Sequence, residues 1–173
     1  MLTRGVRRTL IRSSSRCPVH DYAGWAWYFV TLCVFRRQPL FGVLRSSQVD
    51  LTPLGLLVEN RWQEIPARTV RATAHDLVVM PDHLHGILQV APASGYRLAP
   101  GEREFGPLQP QSLRLVINLF KGDVARIARQ RGLLADNARL WLRGYHDRII
   151  RDARHLATAR AYIRDNPIRA MTS

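Results

Sequence analysis

Six segments switch hydrophobic periodicity in a fixed order, and that order restricts the fold more than any single motif does. Trp25 to Phe35 (WAWYFVTLCVF) is aromatic and β-branched and reads as a buried strand. Pro39 and Gly42 interrupt it, so residues 36–42 form a loop. Leu54, Leu57, Val58 and Trp62 recur at helical spacing within Leu51 to Ile65. Asp50 or Thr52 caps that helix, Pro53 sits in its first turn, and Pro66 stops it. Thr69 to Met80 and Leu84 to Val90 are two further β-rich stretches, joined by the turn formers Pro81 and Asp82. Ala91 to Pro110 is rich in Pro, Gly and Ala and reads as a loop. Gln111 to Arg131 is an amphipathic helix ended by Gly132, with Arg114, Lys121, Arg126 and Arg129 on its outer face. Trp141 to Ile150 reads as a fourth strand, and Arg154 to Asn166 as a final helix stopped by Pro167.

The order β-α-β-β-α-β is that of an α+β, ferredoxin-like (RRM-like) antiparallel sheet with two helices on one face. A further C-terminal helix, which bears a tyrosine, follows it. No internal repeat is visible. A length of 173 residues suits one domain with a genuine core, taken as residues 23–173, preceded by a basic arm over residues 1–22. The first 16 residues contain no acid; an organelle leader or residues ahead of the true start are alternative readings of them. No apolar run approaches the roughly 20 residues of a membrane span. Cys17 and Cys33 form neither a CxxC pair nor a disulfide framework, which fits a reducing, intracellular setting.

Charge narrows the partners. There are 26 Lys+Arg against 13 Asp+Glu, a net charge of +13, and Lys121 is the single lysine. A folded chain this basic attracts polyanions, and arginine grips phosphate in a bidentate manner. Coding bias toward arginine accounts equally well for the Arg/Lys ratio, though not for the net excess.

His83 and His85 flank Leu84. On a strand both imidazoles project from one face, roughly 7 Å apart, while Leu84 points into the core. Such a pair can converge on a cation, although this spacing also occurs in ordinary surface or core histidines. Tyr162 and Asn166 are four apart on the last helix and share a face. The amide oxygen of Asn166 suits a hard cation, and the phenol of Tyr162 can attack phosphorus. A packing aromatic and a helix cap are the alternatives for these two residues. Tyr145 has no partner at ligand spacing. Tyr28, Trp25, Trp27 and Trp62 read as core, and His75 and His146 as structural.

Five stretches, in order, resemble the single-tyrosine HUH transposases, and particularly their REP-associated relatives. They are YFVTLCVFRRQPLFG (28–42), VMPDHLHGI (79–87), SLRLVINLFK (112–121), WLRGYHDRIIRD (141–152) and YIRDNPIRA (162–170). The resemblance spans roughly residues 25–170. It implies that His83, His85 and Asn166 bind a divalent metal, Mg²⁺ or Mn²⁺. It further implies that Tyr162 is the nucleophile of a 5′-phosphotyrosine intermediate in cleaving and rejoining single-stranded DNA, the target being hairpin-forming repeat DNA. The chain would then be an intracellular, nucleoid-associated transposase, monomeric or homodimeric, with Arg114, Lys121, Arg126 and Arg129 as DNA contacts. Two departures stand out. The first 20 residues have no clear counterpart, and the chain ends at Ser173 where many relatives continue. The main alternative is a catalytically silent DNA-binding regulator. An RNA-binding ferredoxin-like domain would need exposed aromatics on its central strands.

Overall fold

A computed structural model of the protein describes residues 26–69, 72–90 and 113–171. The expected basic arm (1–22), Cys17, Trp25 and the Ala91–Pro110 loop lie outside the described residues. Four strands form one antiparallel sheet: β1 (Ala26–Cys33), β4 (Ala72–Met80), β5 (His83–Val90) and β6 (His146–Ile150), in the order β4-β5-β1-β6. This is the expected ferredoxin-like arrangement. Helices α1 (Pro53–Gln63) and α3 (Leu113–Gln130) cover one face; α4 (Ala153–Met171) packs on β4 and β5 from the other.

The period of two in β1 makes this possible. Tyr28, Val30 and Leu32 turn toward α1 and α3 and are fully buried, with Leu84 and Leu88 of β5 beside them. Trp62 of α1 and Phe120 of α3 close the layer, their rings edge to face at 5.6 Å. Burial of each of these side chains stabilises the fold by about 1.5–3 kcal/mol. Thr52 caps α1 by accepting from Gly55 N at 3.1 Å, as Pro53 takes the first helical position. At the end of α3, Gly132 adopts φ +67°, and Leu133 N reaches back to Ala128 O at 2.8 Å.

The structure corrects four expectations. Pro66 does not simply stop a helix: α1 ends at Gln63, and Pro66 lies in the first turn of a short α2 (Ile65–Arg68), where its missing N–H is harmless. Pro167 lies inside α4, which continues to Met171. Mid-helix proline costs about 3 kcal/mol; Ile163, one turn before it, is buried, and Ser47 N donates to Met171 Sδ at 2.8 Å beyond it. Trp141 is not in the fourth strand. It makes one bridge to Val34, and Gly144 at φ +79° separates it from β6. The region after residue 42 also holds a hairpin, β2 (Gly42–Arg45) and β3 (Gln48–Leu51). Its turn places Ser46 and Ser47 at positive φ, where Asn-Gly would be the readable signal.

Candidate functional site

The polar residues gather on the sheet face opposite α1 and α3. His83 and His85 are the first and third residues of β5, paired across β1 with Cys33 and Thr31. Alternation turns both imidazoles to the same side, and their Nε2 atoms converge to 3.1 Å. Each ring is held from behind. His83 Nδ1 donates to Asp82 Oδ1 at 2.5 Å, and Arg37 Nε holds the other oxygen of Asp82 at 2.8 Å. His85 Nδ1 lies 2.8 Å from Thr31 Oγ1, and its ring stacks on Phe29 at 5.3 Å between centroids. Because Nδ1 keeps its proton to donate to Asp82, the lone pair of the neutral His83 ring sits on Nε2, facing the site. His85 is 7% exposed; burial, with help from the neighbouring His83 and Arg37, lowers its pKa to about 4. It is therefore neutral at physiological pH, the form a metal ion requires.

The loop that carries Arg37 is tied to the turn that carries Asp82. Val34 N donates to Asp82 O and Phe41 N to Pro81 O, both at 2.9 Å. Arg36 and Arg37 both adopt φ 56°, an uncommon conformation for non-glycine residues that aims the Arg37 guanidinium at Asp82.

Helix α4 brings Tyr162 to the same place. Its ring stands edge-on to His85 at 5.2 Å and to Phe29 at 5.7 Å, with the Arg169 guanidinium 5.8 Å from its centre. At 36% exposure the ring is wedged in place yet open to solvent. Asn166 is buried one turn further along the same helical face.

Two imidazole nitrogens 3.1 Å apart fit two ligands of one ion, each at about 2.1 Å. Among the described residues no group of three or more His, Cys, Asp or Glu side chains could hold a metal. Asn166 places an amide on α4, the helix that packs against β5.

The basic residues of α3 lie across the sheet from this cluster. Lys121 Nζ donates to the carbonyls of Leu142 and Gly144, both at 2.8 Å, and burial pulls its pKa down to about 8. Arg129 donates to the carbonyls of Asp136 and Ala138 at 3.0 and 2.9 Å. Arg126 pairs with Asp123 at 2.5 Å, and Arg114 is exposed. Tyr145 packs against the core and Tyr28 is buried within it. Trp27 instead faces the α4 side, its ring 4.3 Å from that of His75. Sequence reading placed Asp82 only as a turn former and assigned no role to Thr31, Phe29 or Arg37. Asp82 is adjacent to His83 and could have been suspected; the other three depend on strand register and on a loop conformation.

No protein-family model matches the chain. It belongs to the same family as an uncharacterized protein of Haemophilus influenzae (strain Rd), to which it is 30% identical over 162 residues, 91% of this chain and 88% of that one. Its fold is similar to that of a REP-associated tyrosine transposase solved bound to a REP hairpin, with TM-score 0.58 and 15% identity over 87% of this chain and 72% of that one. A candidate transposase from Deinococcus radiodurans R1 is also similar, with TM-score 0.50 and 15% identity over 87% of this chain and 95% of that one.

Proposed function

We propose that this chain, which shares its fold with tyrosine transposases, is a metal-dependent endonuclease and strand transferase acting on single-stranded DNA. One observation carries the reading. The converging Nε2 atoms of His83 and His85 and the ring of Tyr162 meet on one sheet face, within one chain. Their meeting within one chain supports action of the tyrosine in cis.

His83, His85 and Asn166 would hold Mg²⁺ or Mn²⁺, and the ion would supply positive charge to neutralise the target phosphate and polarise it toward attack. The phenolic oxygen of Tyr162 forms a bond to phosphorus and its proton passes to solvent. The bond from phosphorus to the 3′-oxygen breaks, and that oxygen takes up a proton as a free 3′-OH. The 5′ end stays linked to Tyr162. Attack by a 3′-OH on the phosphotyrosine reverses the step and joins strands. One phosphodiester is exchanged for another, so no nucleotide cofactor is required. Phe29 and His85 fix the tyrosine ring by edge contacts, and Asp82 and Thr31 fix the imidazoles. The hairpin carried by the structural neighbour supports hairpin-forming DNA as the target. Arg114 and Arg126 on α3 would serve the flanking duplex. No helix among the described residues is long and apolar enough to cross a membrane, and the proposed substrate places the protein with the nucleoid inside the cell.

The test is incubation with a single-stranded hairpin oligonucleotide and Mn²⁺ or Mg²⁺, followed by mass spectrometry for a covalent adduct on Tyr162. An adduct that persists undiminished in Tyr162→Phe overturns the mechanism. The rival reading is a DNA-binding regulator without catalysis. That protein would show salt-sensitive DNA binding and no covalent species.

A further inference from the structure

The sheet face that holds the histidines is only partly covered. α4 leaves β6 after two residues and crosses to β4, where Arg160 pairs with Asp76 at 3.0 Å. From there its partners are β4, β5 and the β2–β3 hairpin. The first half of β6 is left outside this path. His146 pairs with Thr31 and Arg148 with Phe29, so both share the face of His85 and Tyr162. Both are exposed.

Two rows of side chains therefore run outward from the site. One is His85, Thr31, His146; the other is Ile87, Phe29, Arg148. Phe29 stands between Arg148 and Tyr162, 5.7 Å from the tyrosine ring and one strand spacing of about 4.8 Å from Arg148 along the backbone. Arg37 is engaged by Asp82 and Arg160 by Asp76, while Arg169 lies against the Tyr162 ring. Arg148 forms no ion pair among the described residues.

We propose that the β1–β6 half of this face is the track for a single DNA strand, on which Arg148 grips a phosphate flanking the one attacked by Tyr162 and His146 contacts the strand beside it. The inference rests on the proposed strand-transfer function for the identity of the strand. The chemistry of the surface fits it. An exposed guanidinium beside a half-buried aromatic ring and a polar row gives charge and flat apolar area without base-edge donors in a groove. A duplex would bring a second backbone onto β6, an edge strand with one exposed arginine to meet it.

The experiment measures binding of a fluorescent, uncleaved single-stranded oligonucleotide by anisotropy, with chelator present so that no cleavage occurs. Binding is followed over a range of salt concentrations. Loss of one phosphate contact lowers the slope of log K against log salt by about 0.7 on a single strand. Arg148→Ala and Arg148→Gln are expected to show that drop and to weaken binding about tenfold. Arg148→Lys keeps the slope. Arg45→Ala on the β2–β3 hairpin, which removes the same charge elsewhere, leaves it unchanged. Thermal melts confirm which variants fold, and the Gln variant decides if the Ala variant does not.

Wild-type affinity and slope in both Arg148→Ala and Arg148→Gln overturn the track and leave the proposed function standing. An equal loss on a blunt duplex of the same length overturns the single-strand assignment. Arg148-dependent binding by a protein that never forms a tyrosine adduct supports the track while removing the strand-transfer reading. No binding of any single strand by the wild type overturns both.

Discussion

The two faces of the sheet are built from the same strands and carry opposite chemistry. Toward α1 and α3 stand Tyr28, Val30, Leu32, Leu84 and Leu88, all fully buried. The opposite face carries Phe29, Thr31, His83 and His85, linked by hydrogen bonds and ring contacts, with His146 and Arg148 exposed beside them. One residue of displacement along the strand moves a side chain from stability to chemistry. The apolar face fixes the backbone from which the polar face projects, so the histidines gain their geometry without contributing to the main core.

Changes confined to one face should leave the other intact, and the largest expected effect is on chemistry. Tyr162→Phe removes the nucleophile and keeps the ring contacts to Phe29 and His85. Adduct formation should fall at least about a thousandfold, while the melting temperature moves by less than about 2 °C; a large loss of stability would show that the polar face also supports the fold. Gly86→Ala reaches across the divide in the other direction. A Cβ there would lie 2.3 Å from Trp62 Cζ2, so the substitution drives into the apolar layer from the residue next to His85. A loss of about 3 kcal/mol in chemical denaturation is expected. Unchanged stability would mean that Trp62 can yield.

Asp82→Asn should leave the fold in place and lower Mn²⁺ affinity by about 10–100-fold in calorimetry, because the carboxylate that sets the His83 tautomer is gone. Affinity equal to the wild type would remove Asp82 from the site. The smallest effect is the pH dependence of the metal-free protein. The folded pKa of His85 lies at about 4, below the ordinary 6.5, so between these values the unfolded chain binds the extra proton. The stability associated with neutral His85 is complete above about pH 6.5 and is lost as pH falls toward 4. His85→Gln should flatten that part of the profile in urea melts; an unchanged profile would place the titration elsewhere.

Much of this was legible in the chain. The strand and helix order was readable because the apolar period changes between segments, and the shared faces of His83 with His85 and of Tyr162 with Asn166 were readable from their spacing. Sites that depended on competing local and tertiary terms were not. Pro167 reads as a stop, yet α4 runs through it to Met171, whose sulfur accepts from Ser47 N of the β2–β3 turn. The Ser46-Ser47 turn lacks the residues that usually announce a hairpin. The α3 cations read as an outer basic face, but Lys121 and Arg129 are bonded to neighbouring backbone carbonyls.

By itself the sequence determined that His83 and His85 point the same way, since alternation along a strand is a local property of the backbone. It likewise determined that Tyr162 and Asn166 share a helical face, since that follows from 3.6 residues per turn. Only the tertiary structure decided that Tyr162 meets His85. Pairing of β1 with β5 sets Thr31 behind His85 and Cys33 beside His83, and the path of α4 lays Tyr162 against the same ring. Register and helix docking arise from contacts between residues some 50 to 80 positions apart, as in the pairs Thr31–His85 and Arg160–Asp76. No local periodicity carries that information.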